Sequence, residues 1–297
     1  MFFILTENLT IDKKEYINEF LKKYESENSE LTFTNLFMWR KSFNVEYAVI
    51  SDMLVIISHH KGAPYYVYFP IGGGDYKEAL NEIMKHFDEK NEKFLLRISD
   101  ETEIKKLNEA YPNLFEIKED IDSNDYVYNV SDLETLKGKK YHSKRNFINR
   151  FKNKYKFTYE KMTPDMKDEC MTLFKKWYDE RKDEIKGVEE HLEAVGELLN
   201  NWERLDIKGG CIKVDGKMIA FSFGEALTSE TAVIHLEHAD TSYDGAYPMM
   251  NNAFIENEWK SFLYVNREED MGLEGLRKAK QSYYPCRMVR KYTAKLK

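Results

Sequence analysis

The chain has 297 residues, 42% of them hydrophobic and 14% aromatic, which is enough apolar material for real cores and excludes wholesale disorder. Its length predicts two domains rather than one. Charged residues make up 33% and the formal net charge is −7, which argues against a general nucleic-acid coat protein but leaves room for a local basic site. The longest apolar runs, residues 53–57 and 1–5, fall far short of the roughly 20 residues of a membrane span. Thr6 and Glu7 follow the second run at once, so it is also too short for a signal-peptide core, and no integral membrane contact is expected. Cys170, Cys211 and Cys286 are far apart, with no metal or redox spacing, which predicts a reducing, cytoplasmic setting.

In chain order, residues 11–24 place Ile11, Tyr16, Phe20 and Leu21 near one face and predict a helix. The aromatic-rich stretch 31–43 suggests a short one. Residues 45–58 and 63–71 are β-rich runs separated by turn signals and predict hairpin-like strands. Gly72–Gly74 suit a turn before a helix that Asp75 caps, and Tyr76, Leu80, Ile83, Met84 and Phe87 keep the helical rhythm. A strand (93–99), a helix (101–111) and a strand (124–130) follow. The second half repeats the mixture: a basic helix over 138–156, a short strand (156–160), a long helical stretch (164–203) and three β-runs (209–216, 217–227, 231–239). Asp215-Gly216 between the first two is a hairpin signal. A helix (247–259), a strand (262–268), a helix over 272–280 and an end strand (284–296) complete the chain. The fold class expected is α/β (α+β), with two mixed domains over 1–130 and 131–297.

The basic helix is the most lopsided stretch. Lys137, Lys139, Lys140, Lys144, Arg145, Arg150, Lys152 and Lys154 are uninterrupted by an acid, while Tyr141, Ile148 and Tyr155 stand seven apart. An apolar stripe can dock and leave a cationic back. That back either meets the phosphates of RNA or of a phosphorylated small molecule, or is a solvated face paired with acids elsewhere.

Two other stretches carry candidate chemistry. Residues 231–258 read as strand, loop and helix, with Pro248 in the first helical turn and Asp244 or Gly245 near the cap. A capped core helix is the better reading than an anion site, because Asp240 and Asp244 would repel a pyrophosphate. Strand alternation puts His235 and Glu237 on one face and Leu236 and His238 on the other. Glu237 is either a general base lining a cleft or a paired carboxylate. In 264–285, Glu268, Glu269 and Asp270 are consecutive and diverge, and the histidines are scattered, so no metal site is expected. These acids read as at least partly structural. Arg277 and Lys280, three apart on a helix, are the better candidates for substrate contact. On that reading Arg277→Ala abolishes activity with little loss of fold.

Taken together, residues 34–39, 70–75, 137–151, "FSFGEAL", "HLEHAD", "DGAYPMMN" and "YVNREEDMGLEGLRKAKQSYYP" resemble, in order and over nearly the whole chain, the C-terminal domain of bacterial phosphatidylglycerol lysyltransferases (domain of unknown function 2156). That family is similar to the Fem peptidyltransferases. The resemblance implies two tandem GNAT-like domains, each a mixed sheet flanked by helices, and implies acyl transfer. Family members move an aminoacyl group from aminoacyl-tRNA to a lipid headgroup, and Fem relatives move it to a cell-wall precursor. Such chemistry needs a proton path, an oxyanion stabiliser and a binder for the donor's phosphates.

The catalytic set this implies is Glu237, Asn266, Arg267, Arg277 and Tyr284, with Tyr283 the alternative to Tyr284. The substrate-binding set is Lys139, Lys140, His142, Lys144, Arg145, Asn146, Arg150, Asp244, Tyr247, Asn251, Glu268 and Lys280. No bound cofactor is expected. The donor expected is aminoacyl-tRNA, ahead of acetyl-CoA, and the partner is tRNA or another phosphorylated substrate.

Two departures from the pattern stand out. Membrane lysyltransferases carry a large transmembrane part and none is visible here, which makes a soluble acceptor at least as plausible as a lipid. The segment 240–246 also lacks the basic or amide residue and the first glycine with which GNAT acetyltransferases cradle the coenzyme A pyrophosphate. An N-acetyltransferase and a non-catalytic binding protein of the same fold are the alternatives.

Overall fold

The computed structural model describes residues 4–182 and 187–297. The start of the apolar run at 1–5, and residues 183–186 of the helical stretch expected over 164–203, lie outside the described residues. The elements in chain order are β1 (Glu7–Asn8), α1 (Lys14–Tyr24), α2 (Phe33–Met38), β2 (Glu46–Ile50), β3 (Met53–His59), β4 (Tyr65–Tyr68), β5 (Ile71–Gly72), α3 (Tyr76–Glu89), β6 (Phe94–Ile98), α4 (Glu101–Ala110) and β7 (Phe115–Glu119). Then come β8 (Asp125–Asn129), α5 (Val130–Thr135), α6 (His142–Lys154), β9 (Phe157–Lys161), α7 (Lys167–Arg181), α8 (Val188–Asn200), β10 (Lys208–Val214), β11 (Lys217–Ala226) and β12 (Thr231–Ala239). The chain closes with α9 (Ala246–Phe254), β13 (Tyr264–Asn266), α10 (Glu274–Gln281), β14 (Arg287–Val289) and β15 (Tyr292–Leu296). Among the described residues, no helix is long and apolar enough to cross a membrane.

The chain divides into two compact units, one running to Asp125 and including Val289–Lys297, the other Tyr126–Met288. The sequence boundary near 130 keeps the C-terminus in the second domain, whereas the last strand belongs to the first unit. What reads as one end strand over 284–296 is two, β14 and β15, in different sheets.

The first unit's sheet has the order β1-β2-β3-β4-β6-β15-β7, with β5 on β3. β3 is an almost unbroken apolar run buried from Met53 to Ser58, as suits a central strand covered on both faces. Asp75 caps α3 by accepting from the Lys77 and Glu78 N–H groups, and Ala79, Leu80, Ile83 and Phe87 turn inward. Only glycine fits at position 74, where a Cβ would lie 1.8 Å from the Ser51 carbonyl oxygen. β15 is antiparallel to both β6 and β7, so Ala294 is fully buried between them. Just before it, buried Lys291 pairs with Asp125 at 2.7 Å and Glu30 at 3.4 Å. Burial pushes the Glu30 carboxyl up, but Arg97 and Lys291 outweigh it and hold it at about 2.

The second unit's sheet has the order β14-β8-β13-β12-β11-β10-β9. Asp215 and Gly216, at φ 49° and 79°, make the tight β10–β11 turn that their dipeptide predicts. Tyr141, Ile148 and Phe151 sink the apolar stripe of the basic helix into a core shared with α9, and leave Arg150, Lys152 and Lys154 outward while Lys144 is half-buried. The helix expected over 247–259 is α9 followed by a π turn, Ile255–Trp259, that buries Trp259. Gly245, at φ 86°, precedes α9; a Cβ there would lie 2.7 Å from the Phe147 carbonyl oxygen, so α6 packs directly on the start of α9.

Candidate active site at a split between two strands

β12 and β13 are parallel, and they pair only between Thr231–Val233 and Tyr264–Asn266. Beyond that point β12 stays on β11 as far as Ala239, while the chain after β13 stays on the β8 side. There the Arg267 N–H donates to the Tyr126 carbonyl at 2.9 Å and the Tyr126 N–H to the Glu268 carbonyl at 3.2 Å. The two strands therefore diverge, and side chains bridge the opening.

A β-bulge decides which side chains do so. Phe223 lies opposite Leu236 and Gly224 opposite Ile234, so His235 is the extra residue. The alternation expected from sequence, with His235 and Glu237 on one face, is broken at this bulge. Glu237 meets α9, where Asn251 donates to its Oε2 at 3.0 Å, whereas His235 turns to Glu225 of β11 at 2.9 Å. His235 also reaches Glu268 across the split at 2.8 Å. Burial alone would lower its pKa, but the hydrogen bonds to Glu225 and Glu268 outweigh it and raise it to about 10. His235 is thus an imidazolium that ties the two sides together.

The second bridge is Arg267, whose Nη2 donates to Glu237 Oε1 at 2.9 Å. Its guanidinium lies over Tyr283 and Tyr128, with Cζ 5.0 and 5.7 Å from the ring centroids. Arg267 Nη1 is buried and has no hydrogen-bond partner. Lys144 of α6 sets its Nζ 3.9 Å from the centroid of the same Tyr283 ring. Burial first, and then the Arg267 charge, lower Lys144 to about 8, against the opposing pull of Glu237. Tyr247 stands next to this group, its hydroxyl pKa raised chiefly by burial and also by Glu237. Two cations, one carboxylate and an orphan donor leave the cluster short of negative charge, an arrangement suited to a substrate anion or a developing oxyanion.

The structure brings Glu237, Arg267, Asn251, Tyr247 and Lys144 together, with Tyr283 rather than Tyr284 at their centre. Tyr283 is buried, whereas Tyr284 is exposed, at φ 55°, edge-on to Tyr141 with 5.6 Å between centroids. Asn266 is fully buried, and its Oδ1 accepts from the Glu268 N–H at 2.7 Å, fixing the turn that aims Glu268 at His235. The cations of α10 are engaged within the fold. Arg277 forks onto buried Asp270 through Nε and Nη2, both at 2.8 Å, and Tyr126 donates to the same carboxylate at 2.6 Å. Asp270 thus clamps α10 from the loop that precedes it. Lys280 is buried and gives its Nζ protons to the carbonyls of Arg267, Glu268 and Glu269, which staples the loop that carries Arg267.

The rest of the binding set lies along α6. Arg145 donates to the Leu136 and Gly138 carbonyls, Arg150 lies 3.5 Å from Asp244, and Lys140 lies 3.6 Å from Asp132. Lys139, His142 and Asn146 are exposed, the last two 3.4 Å apart. A shallow depression on this helix is lined by Ser143, Asn146, Phe147, Asn149, Arg150 and Asn153. The meeting of Lys144 with Tyr283 and Arg267 left no local trace in the sequence, because it depends on how α6 and the closing segment pack on one sheet.

Two mixed sheets flanked by helices, the second parted between parallel strands, define a protein of two tandem GNAT-like domains, an acyltransferase-like fold. The chain belongs to the family described as phosphatidylglycerol lysyltransferase, C-terminal, whose model matches residues 21–295. It is similar to a conserved protein of unknown function from Bacteroides thetaiotaomicron VPI-5482, at 38% identity and TM-score 0.93 over 99% of this chain and 100% of that one. The C-terminal domain of a protein described as a lysylphosphatidylglycerol synthetase from Agrobacterium fabrum shares the fold, at 13% identity and TM-score 0.68 over 96% of this chain and 91% of that one. FemX does so at 11% identity and TM-score 0.63 over 97% and 96%. No curated protein matches the chain by sequence.

Proposed function

We propose that the second unit transfers an acyl group, with aminoacyl-tRNA as donor and a hydroxyl or amine as acceptor, in the split between β12 and β13. The observation that carries this reading is the buried, unpartnered Nη1 of Arg267. Glu237 fixes the guanidinium from one side and Lys280 fixes the backbone that bears it, so the orientation of Nη1 is set before charge develops on a carbonyl oxygen. A preorganised donor of this kind is worth about 10²–10³ in rate.

The exposed lysines on α6 and just before it, Lys137, Lys139, Lys152 and Lys154, supply the phosphate-binding surface. Aminoacyl-tRNA is favoured over acetyl-CoA because residues 240–246 offer carboxylates at the position of a pyrophosphate cradle. Asp240 there accepts from Lys176 at 2.6 Å and from Ser242, and Asp244 is paired with Arg150.

Titration of the purified chain with charged bulk tRNA and with acetyl-CoA, followed by thermal shift at two salt concentrations, tests the donor. A salt-sensitive shift with tRNA is expected. A shift with coenzyme A alone overturns the tRNA reading, and salt-insensitive tRNA binding overturns the role of the basic helix.

A further inference from the structure

We propose that Lys144 is the proton acceptor of the transfer, taking the proton of the attacking hydroxyl or amine and returning it to the leaving oxygen. The inference rests on the site proposed above. It follows from which groups around Arg267 are able to accept a proton.

Glu237 has both oxygens committed, Oε1 to Arg267 and Oε2 to Asn251. Protonating it would remove the charge that holds the guanidinium in place. His235 carries its proton between Glu225 and Glu268, with both ring nitrogens occupied. The Tyr283 and Tyr247 hydroxyls are pushed up by burial, so as phenols they are not bases at neutral pH. His142, two residues before Lys144, is on the far side of α6, since two residues turn a helix by about 200°.

Lys144 differs from all of these. No carboxylate lies within salt-bridge distance of its Nζ among the described residues. The groups that face it are the Tyr283 ring, the Arg267 cation and Glu237. Burial and Arg267 disfavour its charged form, while the ring face favours it, so the amine exchanges its proton near neutral pH. Its helix is anchored by Ile148 and Phe151 in the core, which holds it against Tyr283.

The step balances without a further reactant. The Lys144 lone pair takes the acceptor's proton as the acceptor's oxygen or nitrogen bonds to the ester carbon. The carbonyl π pair moves to oxygen, where Arg267 Nη1 donates to it. When that pair returns, the bond from carbon to the ribose oxygen breaks, and the Lys144 ammonium gives its proton to the departing oxygen, restoring the neutral amine.

Two arms test this. Protein labelled with [ε-13C]lysine is titrated by NMR, with the Lys144 resonance assigned from its loss in Lys144→Arg. A midpoint two units or more below the bulk of the lysines is expected, and a midpoint among them overturns the proposal. This arm needs no donor, so it stands or fails apart from the tRNA reading. In the second arm, enzyme-dependent loss of the aminoacyl ester from charged bulk tRNA, with glycerol supplied as hydroxyl acceptor, is followed from pH 6 to 9. The rate is expected to rise with the NMR midpoint, and Lys144→Arg, which keeps the charge but cannot give up its proton, is expected to lose at least about a hundredfold while still binding tRNA. Converting Lys144→Cys to the thioether analogue of lysine with bromoethylamine, in a Cys286→Ser background, is expected to restore the rate with its pH profile moved down. A Lys144→Arg rate and profile equal to the wild type overturn the proposal.

Discussion

Arg267 and Glu237 face each other at 2.9 Å across the opening between two parallel strands, each with a second engagement on its own side. Asn251 holds the far oxygen of Glu237, and Lys280 holds the backbone from which Arg267 projects. Both side chains are about nine-tenths buried, at 12% and 11% exposure. Breaking the pair from one side therefore leaves a poorly solvated charge. Glu237→Gln is expected to cost about 2–4 kcal/mol in urea unfolding, and a double-mutant cycle with Arg267→Met to return a coupling of about 1–3 kcal/mol. Removing the Glu237 charge should also move the Lys144 midpoint further down, since Glu237 is the group that raises it.

His235 gives the fold a pH signature. Its folded pKa, about 10, lies above its unfolded value near 6.5, so the stabilisation is fully present below about pH 6.5 and is lost as pH rises through 10. The difference in unfolding free energy between the wild type and His235→Gln should shrink steadily between these limits. A difference that stays constant with pH would show that the imidazole is neutral between Glu225 and Glu268.

Arg277 becomes a test of structure. Its fork onto buried Asp270 predicts that Arg277→Ala lowers stability by about 2–4 kcal/mol, because a carboxylate is left buried with fewer partners. Adding Asp270→Asn should recover part of that loss. If Arg277→Ala is as stable as the wild type, the clamp has no role in holding the loop before α10.

Local signals made much of the fold legible. Asp75 after three glycines, Asp215-Gly216 between two β-runs, and the seven-residue stripe of the basic helix each depend on neighbours in sequence, and each forms as the pattern requires. What could not be read is nonlocal. The bulge at His235 exists because β11 and β12 fall out of step, and no residue of β12 announces it. The fork of Arg277 on Asp270, and the carbonyls around Lys280, depend on how one loop closes on itself. Sequence charge made those two cations look available, whereas packing gives them partners. Tyr283 and Tyr284 are adjacent and identical, and only the packing of Tyr283 under Lys144 and Arg267 separates them.

The last strand supplies a prediction for the first unit. β15 lies between β6 and β7, and Lys291 is buried against Asp125 and Glu30. Deleting residues 291–297 removes an interior strand and leaves fully buried Asp125 and partly buried Glu30 short of a cation. The first unit of the truncated chain is expected to lose cooperative unfolding and become sensitive to limited proteolysis. A truncated chain with wild-type resistance would mean that β6 and β7 close on each other without β15.

Gly245 tests the contact that sets α6 beside the site. Its φ of 86° and the 2.7 Å approach of a Cβ to the Phe147 carbonyl oxygen predict that Gly245→Ala costs about 1–3 kcal/mol. Because Lys144 rides on α6, the same substitution should also shift the Lys144 resonance.

The role of Arg267 is tested by the rate at which the purified chain removes the aminoacyl ester from charged bulk tRNA with glycerol supplied as hydroxyl acceptor, compared between the wild type and Arg267→Met. Enzyme-dependent ester loss is expected from the wild type, with a fall of about a hundredfold or more in Arg267→Met and tRNA binding retained. Equal rates in the two proteins, or binding lost in step with rate, would contradict the assignment of the buried Arg267 donor to the transfer step.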